Sequence, residues 1–202
     1  MSYIIVGLGN PGHEYDNTRH NIGRMIVFNI GKLFDAEWKK DSLLNADIAK
    51  VKISGKPVTL VLPNTFMNNS GKSLKQFLGS STSSKAVAGK VEKMLVIYDD
   101  LDLPIGKVKM SFNKSSGGHR GLESIIKAVK TEKFPRIRVG ISPTTPSGKL
   151  KKPAGEEKVM KHILGKMKPD ELLFIKKISK KIAEALENFV QNGLEKTMSE
   201  FN

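Results

Sequence analysis

The chain has 202 residues, 39% of them apolar and 6% aromatic, with a formal net charge of +14 and an isoelectric point near 9.8. That length suffices to bury the core of one domain. The absence of cysteine removes disulfides and thiolate chemistry, and no apolar run approaches a membrane span. No basic segment followed by a long hydrophobic one opens the chain, which leads to the expectation of a cytoplasmic protein. Lys and Arg outnumber Asp and Glu by 13 to 9 in residues 1–100 and by 21 to 11 in residues 101–202. The surplus favours a polyanionic partner met mainly by the second half; a generally basic proteome would give the same total.

Tyr3 to Val6 reads as a strand that ends in the turn Gly7-Leu8-Gly9-Asn10-Pro11-Gly12, where glycine permits close backbone approach. Ile22, Met25, Ile26, Ile30 and Leu33 then recur at three- and four-residue steps, which predicts an amphipathic helix. Ala49, Val51 and Ile53 alternate with lysines, and Ser54-Gly55-Lys56-Pro57 turns the chain into Val58 to Leu62, a β-hairpin with one solvated face. Pro63 to Gly71 leads into a helix carrying Leu74, Phe77 and Leu78, and the Ser-rich stretch Gly79–Ser84 is expected to be a flexible surface segment. Met94 to Tyr98 is nearly all apolar, as a buried central strand should be, and ends at Asp99-Asp100-Leu101-Asp102.

Pro104-Ile105-Gly106 predicts a turn and Lys107 to Phe112 a further strand. Asn113 to Gly121 is a loop before a helix with Leu122, Ile125, Ile126 and Val129, and Arg136 to Ile141 is another strand. Ser142 to Gly155 has three prolines and no periodicity, and reads as a mobile basic loop. Glu156 to Leu164 is a short helix. Pro169-Asp170-Glu171 opens the last long helix with proline and acids in its first turn. Strands alternating with helices predict a single α/β domain over residues 1–202, a mixed twisted sheet flanked by helices.

Several chemistries compete for the polar run Asn10, Tyr15, Asn17, Arg19, His20, Asn21. Gly7, Gly9 and Gly12 satisfy the spacing of a dinucleotide turn, but Pro11 and charged side chains stand where exposed helix amides should cradle a pyrophosphate. His13, His20, His119 and His162 show no helical pairing for a metal, and no G-x-S-x-G elbow supplies a serine nucleophile. What remains is His20 close after the first strand and Asp99 at the end of a buried one. An imidazole held by a carboxylate can take a proton from water and direct it at a carbonyl. Asn10 and Asn68 would orient the water or the developing oxyanion. A polar cluster that merely caps the next helix, with His20 a structural histidine, is the plainer alternative.

Gly7-Leu8-Gly9-Asn10-Pro11-Gly12 with Tyr15 and Thr18-Arg19-His20-Asn21-Ile22-Gly23 closely resembles the first signature of bacterial peptidyl-tRNA hydrolases. Pro63-Asn64-Thr65-Phe66-Met67-Asn68-Asn69-Ser70-Gly71, Asp99 to Gly106 and Gly117-Gly118-His119-Arg120-Gly121-Leu122 agree in order and spacing. The resemblance implies an esterase, without cofactor or metal, that frees peptide from peptidyl-tRNA as a monomer. It implies His20 as the base, Asp99 as its orienting carboxylate and Asn10 as the residue that discriminates peptidyl-tRNA from free aminoacyl-tRNA. Tyr15, Phe66, Met67, Asn68, His119, Arg120 and Arg138 match positions that contact the substrate or its tRNA. The chain departs from the family at Arg120, where Asn is usual, and at Tyr98, where His is common. Plant organelle relatives serve RNA splicing, so a catalytically silent RNA-binding protein is the alternative; retention of Asn10, His20, Asn68 and Asp99 favours the enzyme.

Overall fold

The computed structural model describes residues 2–78 and 89–202; the Ser-rich stretch Gly79–Ser84 lies outside them. In chain order, β1 (Tyr3–Gly7) precedes α1 (Ile22–Leu33), and β2 (Lys39–Asp41), β3 (Ala46–Ile53) and β4 (Lys56–Pro63) form an antiparallel run. Then come α2 (Ser70–Leu78), β5 (Met94–Pro104), β6 (Val108–Ser111), α3 (Arg120–Val129), β7 (Arg136–Ser142), α4 (Glu156–Ile163), α5 (Pro169–Asn192) and α6 (Leu194–Phe201). Among the described residues the strands form one sheet in the order β2-β3-β4-β1-β5-β7-β6. Its centre, β4-β1-β5-β7, is parallel, and antiparallel strands flank it, so the predicted mixed sheet is the one observed. No described helix is long and apolar enough to cross a membrane.

Side-chain alternation along the parallel strands builds two cores. Ile5, Leu95 and Ile97 pack beneath α1 and α5, against Ile26, Ile30, Ile182 and Leu186. Ile4, Val6, Met94 and Val96 pack beneath α2 and α3, against Leu74, Leu122 and Ile125. The same alternation carries Asp99 onto the α1 side of β5 and Tyr98 onto the α3 side.

Four details differ from the sequence reading. The hairpin turns on Ser54 and Gly55 alone, both left-handed (φ 49° and 74°), as a two-residue connection between right-twisted strands requires. Only β3 keeps a solvated edge of lysines; β4 is buried from Val58 to Pro63 because it also pairs with β1. β5 does not stop at Asp99 but continues to Pro104, since Ser142 of β7 goes on bonding to it through its hydroxyl and carbonyl (2.6 Å to Leu101 O, 2.8 Å from Ile105 N). As read from the sequence, the stretch from Pro143 to Gly155 forms neither helix nor strand; it folds back through a bridge between Thr144 and Leu150 and a bond from Lys151 N to Pro143 O at 2.8 Å. The short strand β2 and the terminal helix α6, set off from α5 at Gly193 (φ 85°), carried too little periodicity to be read.

Candidate active site

His20 lies on a single 3₁₀ turn, Arg19–Asn21, between β1 and α1. What brings it to Asp99 is Gly23, at the start of α1. A Cβ there would stand 2.1 Å from Ile97 O and 2.8 Å from Leu8 N, so only a residue without a side chain lets the helix lie against the ends of β1 and β5. His20 Nδ1 sits 3.0 Å from each carboxylate oxygen of Asp99, and both residues are buried. A carboxylate can only accept, so Nδ1 carries the proton and Nε2 is left basic.

A second imidazole reaches the same carboxylate. His119 caps α3: its Nδ1 accepts from Leu122 N at 3.1 Å, which puts the ring proton on Nε2, and Nε2 donates to Asp99 Oδ1 at 2.8 Å. The two rings lie 4.9 Å apart. The sequence reading took His119 for a substrate contact and missed this bond, because nothing in the spacing couples residues 99 and 119. Potential ligand atoms of His20, Asp99 and His119 lie within 4.8 Å of one another, close enough for a cation. The backbone donor on His119 Nδ1 works against that use, since ligation through Nε2 would drive the ring proton onto Nδ1 and into the N–H of Leu122.

Burial alone would push the Asp99 carboxyl up, but the charges and hydrogen bonds of His20 and His119 outweigh it and hold it well below the usual carboxylate range. A depressed acid contributes stability that is complete above its unfolded value, about 3.9, and is lost as pH falls towards its folded value. The urea midpoint of the wild type should therefore exceed that of Asp99→Asn at neutral pH, by a margin that shrinks below about pH 4. A margin that stayed level through that acid range would remove the two imidazoles as its cause.

Asn10 is held on three sides. Its main-chain N donates to Asn21 Oδ1 at 2.8 Å, its carbonyl accepts from Asn21 Nδ2 at 2.9 Å, and its side-chain Oδ1 accepts from Met67 N at 2.7 Å. Met67 N–H can only donate, which fixes the amide's orientation and leaves Nδ2 as the donor Asn10 can offer a ligand. The Asn21 clamp was not foreseen as such; its only sign in the sequence was its place beside His20.

Asn10, His20 and Asp99 line a cleft of about 570 Å³ at the carboxyl ends of β1, β4 and β5, where open α/β sheets collect their sites. Tyr15, Phe66, Met67, Asn68, His119 and Arg120 line it too, with the rings of Tyr15 and Phe66 edge to face at 6.3 Å. Tyr98 packs edge-on to His119, and burial, then the charge of Asp100, pushes its phenol up to about 12, so it stays a neutral wall. Arg120 spends its charge on Glu156 of α4 (2.5 Å), and Lys152 pairs with Asp102 (2.5 Å). Arg138, expected on the tRNA side, is not among the cleft's lining residues; its Nε donates to Asp100 Oδ2 at 2.6 Å.

The fold and the cleft together define an α/β protein with a mixed sheet whose cleft pairs a buried imidazole with a carboxylate. Comparison with known proteins narrows it. The family model described as peptidyl-tRNA hydrolase matches residues 4–202. Proteins named peptidyl-tRNA hydrolase from Aquifex aeolicus and Halalkalibacterium halodurans are 39% and 40% identical over 199 residues. Each alignment covers 98% of this chain, and 95% and 99% of those proteins respectively. The crystal structure of peptidyl-tRNA hydrolase from Acinetobacter baumannii superposes with a TM-score of 0.84 at 31% identity, covering 100% of this chain and 94% of that one. The chain belongs to the peptidyl-tRNA hydrolase family.

Proposed function

We propose that this protein hydrolyses the ester between peptide and tRNA in peptidyl-tRNA, with His20 as the general base. The observation that carries the reading is the His20–Asp99 pair: a basic imidazole nitrogen, fixed in one tautomer by an ionised carboxylate, in a cleft that also holds an amide donor. His20 Nε2 takes a proton from water as the oxygen attacks the ester carbonyl, and Asp99 stabilises the imidazolium that forms. Asn10 Nδ2 donates to the developing oxyanion. Collapse breaks the bond to the ribose oxygen, which leaves with the proton from His20 as the tRNA 3′ hydroxyl, and the peptide leaves as a carboxylic acid that gives its proton up to water.

Tyr15, Phe66, Met67 and Asn68 form the wall for the ester's flanking groups, and His119 holds Asp99 from the far side. Arg120 and Arg138 act on substrate only by leaving Glu156 and Asp100. The lysine surplus of residues 101–202 suits a tRNA body, and the single domain, residues 1–202, works as a cytoplasmic monomer. The test is release of N-acetyl-amino acid from an N-acetyl-aminoacyl-tRNA. Cleavage is expected with an apparent affinity that falls steeply with added salt, because phosphate contacts release counterions. Tight tRNA binding without any release would overturn the enzyme in favour of a silent RNA-binding protein.

A further inference from the structure

The turn that carries His20 is anchored residue by residue. Asn21 clamps Asn10, His20 meets Asp99 on β5, and Arg19 turns the opposite way, towards α5. There its Nε and Nη2 donate to Glu171 Oε1 at 3.3 and 3.2 Å, and Nη2 also donates to Oε2 at 3.0 Å. The pair is largely buried, with side chains 14% and 12% exposed, unlike the ion pairs at the cleft rim. Glu171 is itself fixed: it lies in the first turn of α5, where the helix dipole favours a carboxylate, and its Oε2 accepts from Lys168 N at 2.7 Å.

The backbone next to this pair is tied locally, with Thr18 N and Oγ1 both donating to Tyr15 O at 3.1 and 2.8 Å, and across to the segment before α5. Asn17 is left-handed at φ 59°, a region in which Asn is enriched among non-glycine residues. What holds it comes from the same segment as Glu171: Met167 N donates to Asn17 O at 2.8 Å, Arg19 N donates to Gly165 O at 3.2 Å, and Lys166 Nζ donates to Glu14 O and Asp16 O. Arg19 Nη1 also donates to His162 O at 3.4 Å, and among these links the one that joins two side chains, Arg19 to Glu171, acts on the residue directly before His20.

We propose that Glu171 is a positioning residue for hydrolysis: through Arg19 it sets the turn that aims His20. The proposal rests on the reading of His20 as the base. Uncharging Glu171 leaves a buried guanidinium without its counter-ion, which then moves towards water and takes the turn with it. A base misplaced by a fraction of an ångström to an ångström loses up to about 10²-fold in rate.

The experiment measures kcat and KM of the full chain on N-acetyl-aminoacyl-tRNA for Glu171→Gln, Arg19→Ala, the double variant and His20→Ala, with thermal melts of each. Glu171→Gln is expected to lower kcat roughly 10-fold with little change in KM. The double variant is expected to be no slower than Arg19→Ala alone, because a residue acting only through Arg19 has nothing left to act on. A wild-type kcat in Glu171→Gln beside an inactive His20→Ala overturns the proposal, and so do additive losses, which would mean that Glu171 works only as a cap of α5. An active His20→Ala overturns the base assignment instead, so the two failures are distinct. Should Glu171→Gln not fold, Arg19→Lys keeps the charge but loses the two-pronged contact, and a wild-type kcat there overturns the proposal equally.

Discussion

Replacement of His20 by alanine is expected to lower turnover of N-acetyl-aminoacyl-tRNA by roughly 10²- to 10⁴-fold, the usual worth of a positioned general base. Binding of the tRNA should hardly change, since His20 is buried and its ring bonds to Asp99, not to the basic surface. The fold should survive, although Asp99 then keeps only His119 as an imidazole partner. Loss confined to kcat is the signature of a group that acts in the transition state rather than in ground-state binding. Near wild-type hydrolysis by this variant would end the assignment.

Gly23→Ala is expected to damage stability and rate together. Helix propensity argues the other way, since alanine is favoured over glycine inside a helix by up to about 1 kcal/mol. Steric contact decides the sign. The added Cβ would meet Ile97 O at 2.1 Å, Ile97 C at 2.9 Å and Leu8 N at 2.8 Å, all of them main-chain atoms of the central strands. Leu8 N also donates to Ile97 O at 3.0 Å, so the methyl group would wedge into the bond joining the end of β1 to β5. Overpacking against a yielding side chain costs about 1–3 kcal/mol; here nothing on the receiving side is flexible, and a loss at or above the top of that range is expected. Relief requires α1 to back away from β5, which draws His20 from Asp99. Urea unfolding should therefore give a lower midpoint, and kcat should fall by more than the unfolded fraction explains. An unchanged midpoint would show that α1 can shift freely, and that Gly23 does not set the His20–Asp99 distance.

Much of this was legible along the chain because it depends on neighbours in sequence. The apolar run Met94–Tyr98 read as a buried central strand, and the steps of Ile22, Ile26 and Ile30 as a helix with one buried stripe, and both elements are there. His20 and Asp99 stood out because each follows a strand that ends where α/β sheets collect sites. The length of β5 past Asp99 was hidden, since its backbone partners come from β7 and its polar side chains belong to the cleft rim.

Composition and local pattern by themselves determined the α/β class, the basic second half and the absence of thiol chemistry, while the resemblance to peptidyl-tRNA hydrolases is what singled out His20 and Asp99. Tertiary structure alone decided which partners those groups have: that Asp99 serves two histidines, that Asn21 locks Asn10, that Arg120 and Arg138 face carboxylates, and that Arg19 reaches Glu171 across 152 residues. The physical reason is range. Periodicity and turn chemistry act over a few residues and leave their mark on the sequence. A hydrogen bond between distant residues depends on sheet order and on how closely α1 can lie on β5, and here that approach depends on the missing side chain of Gly23.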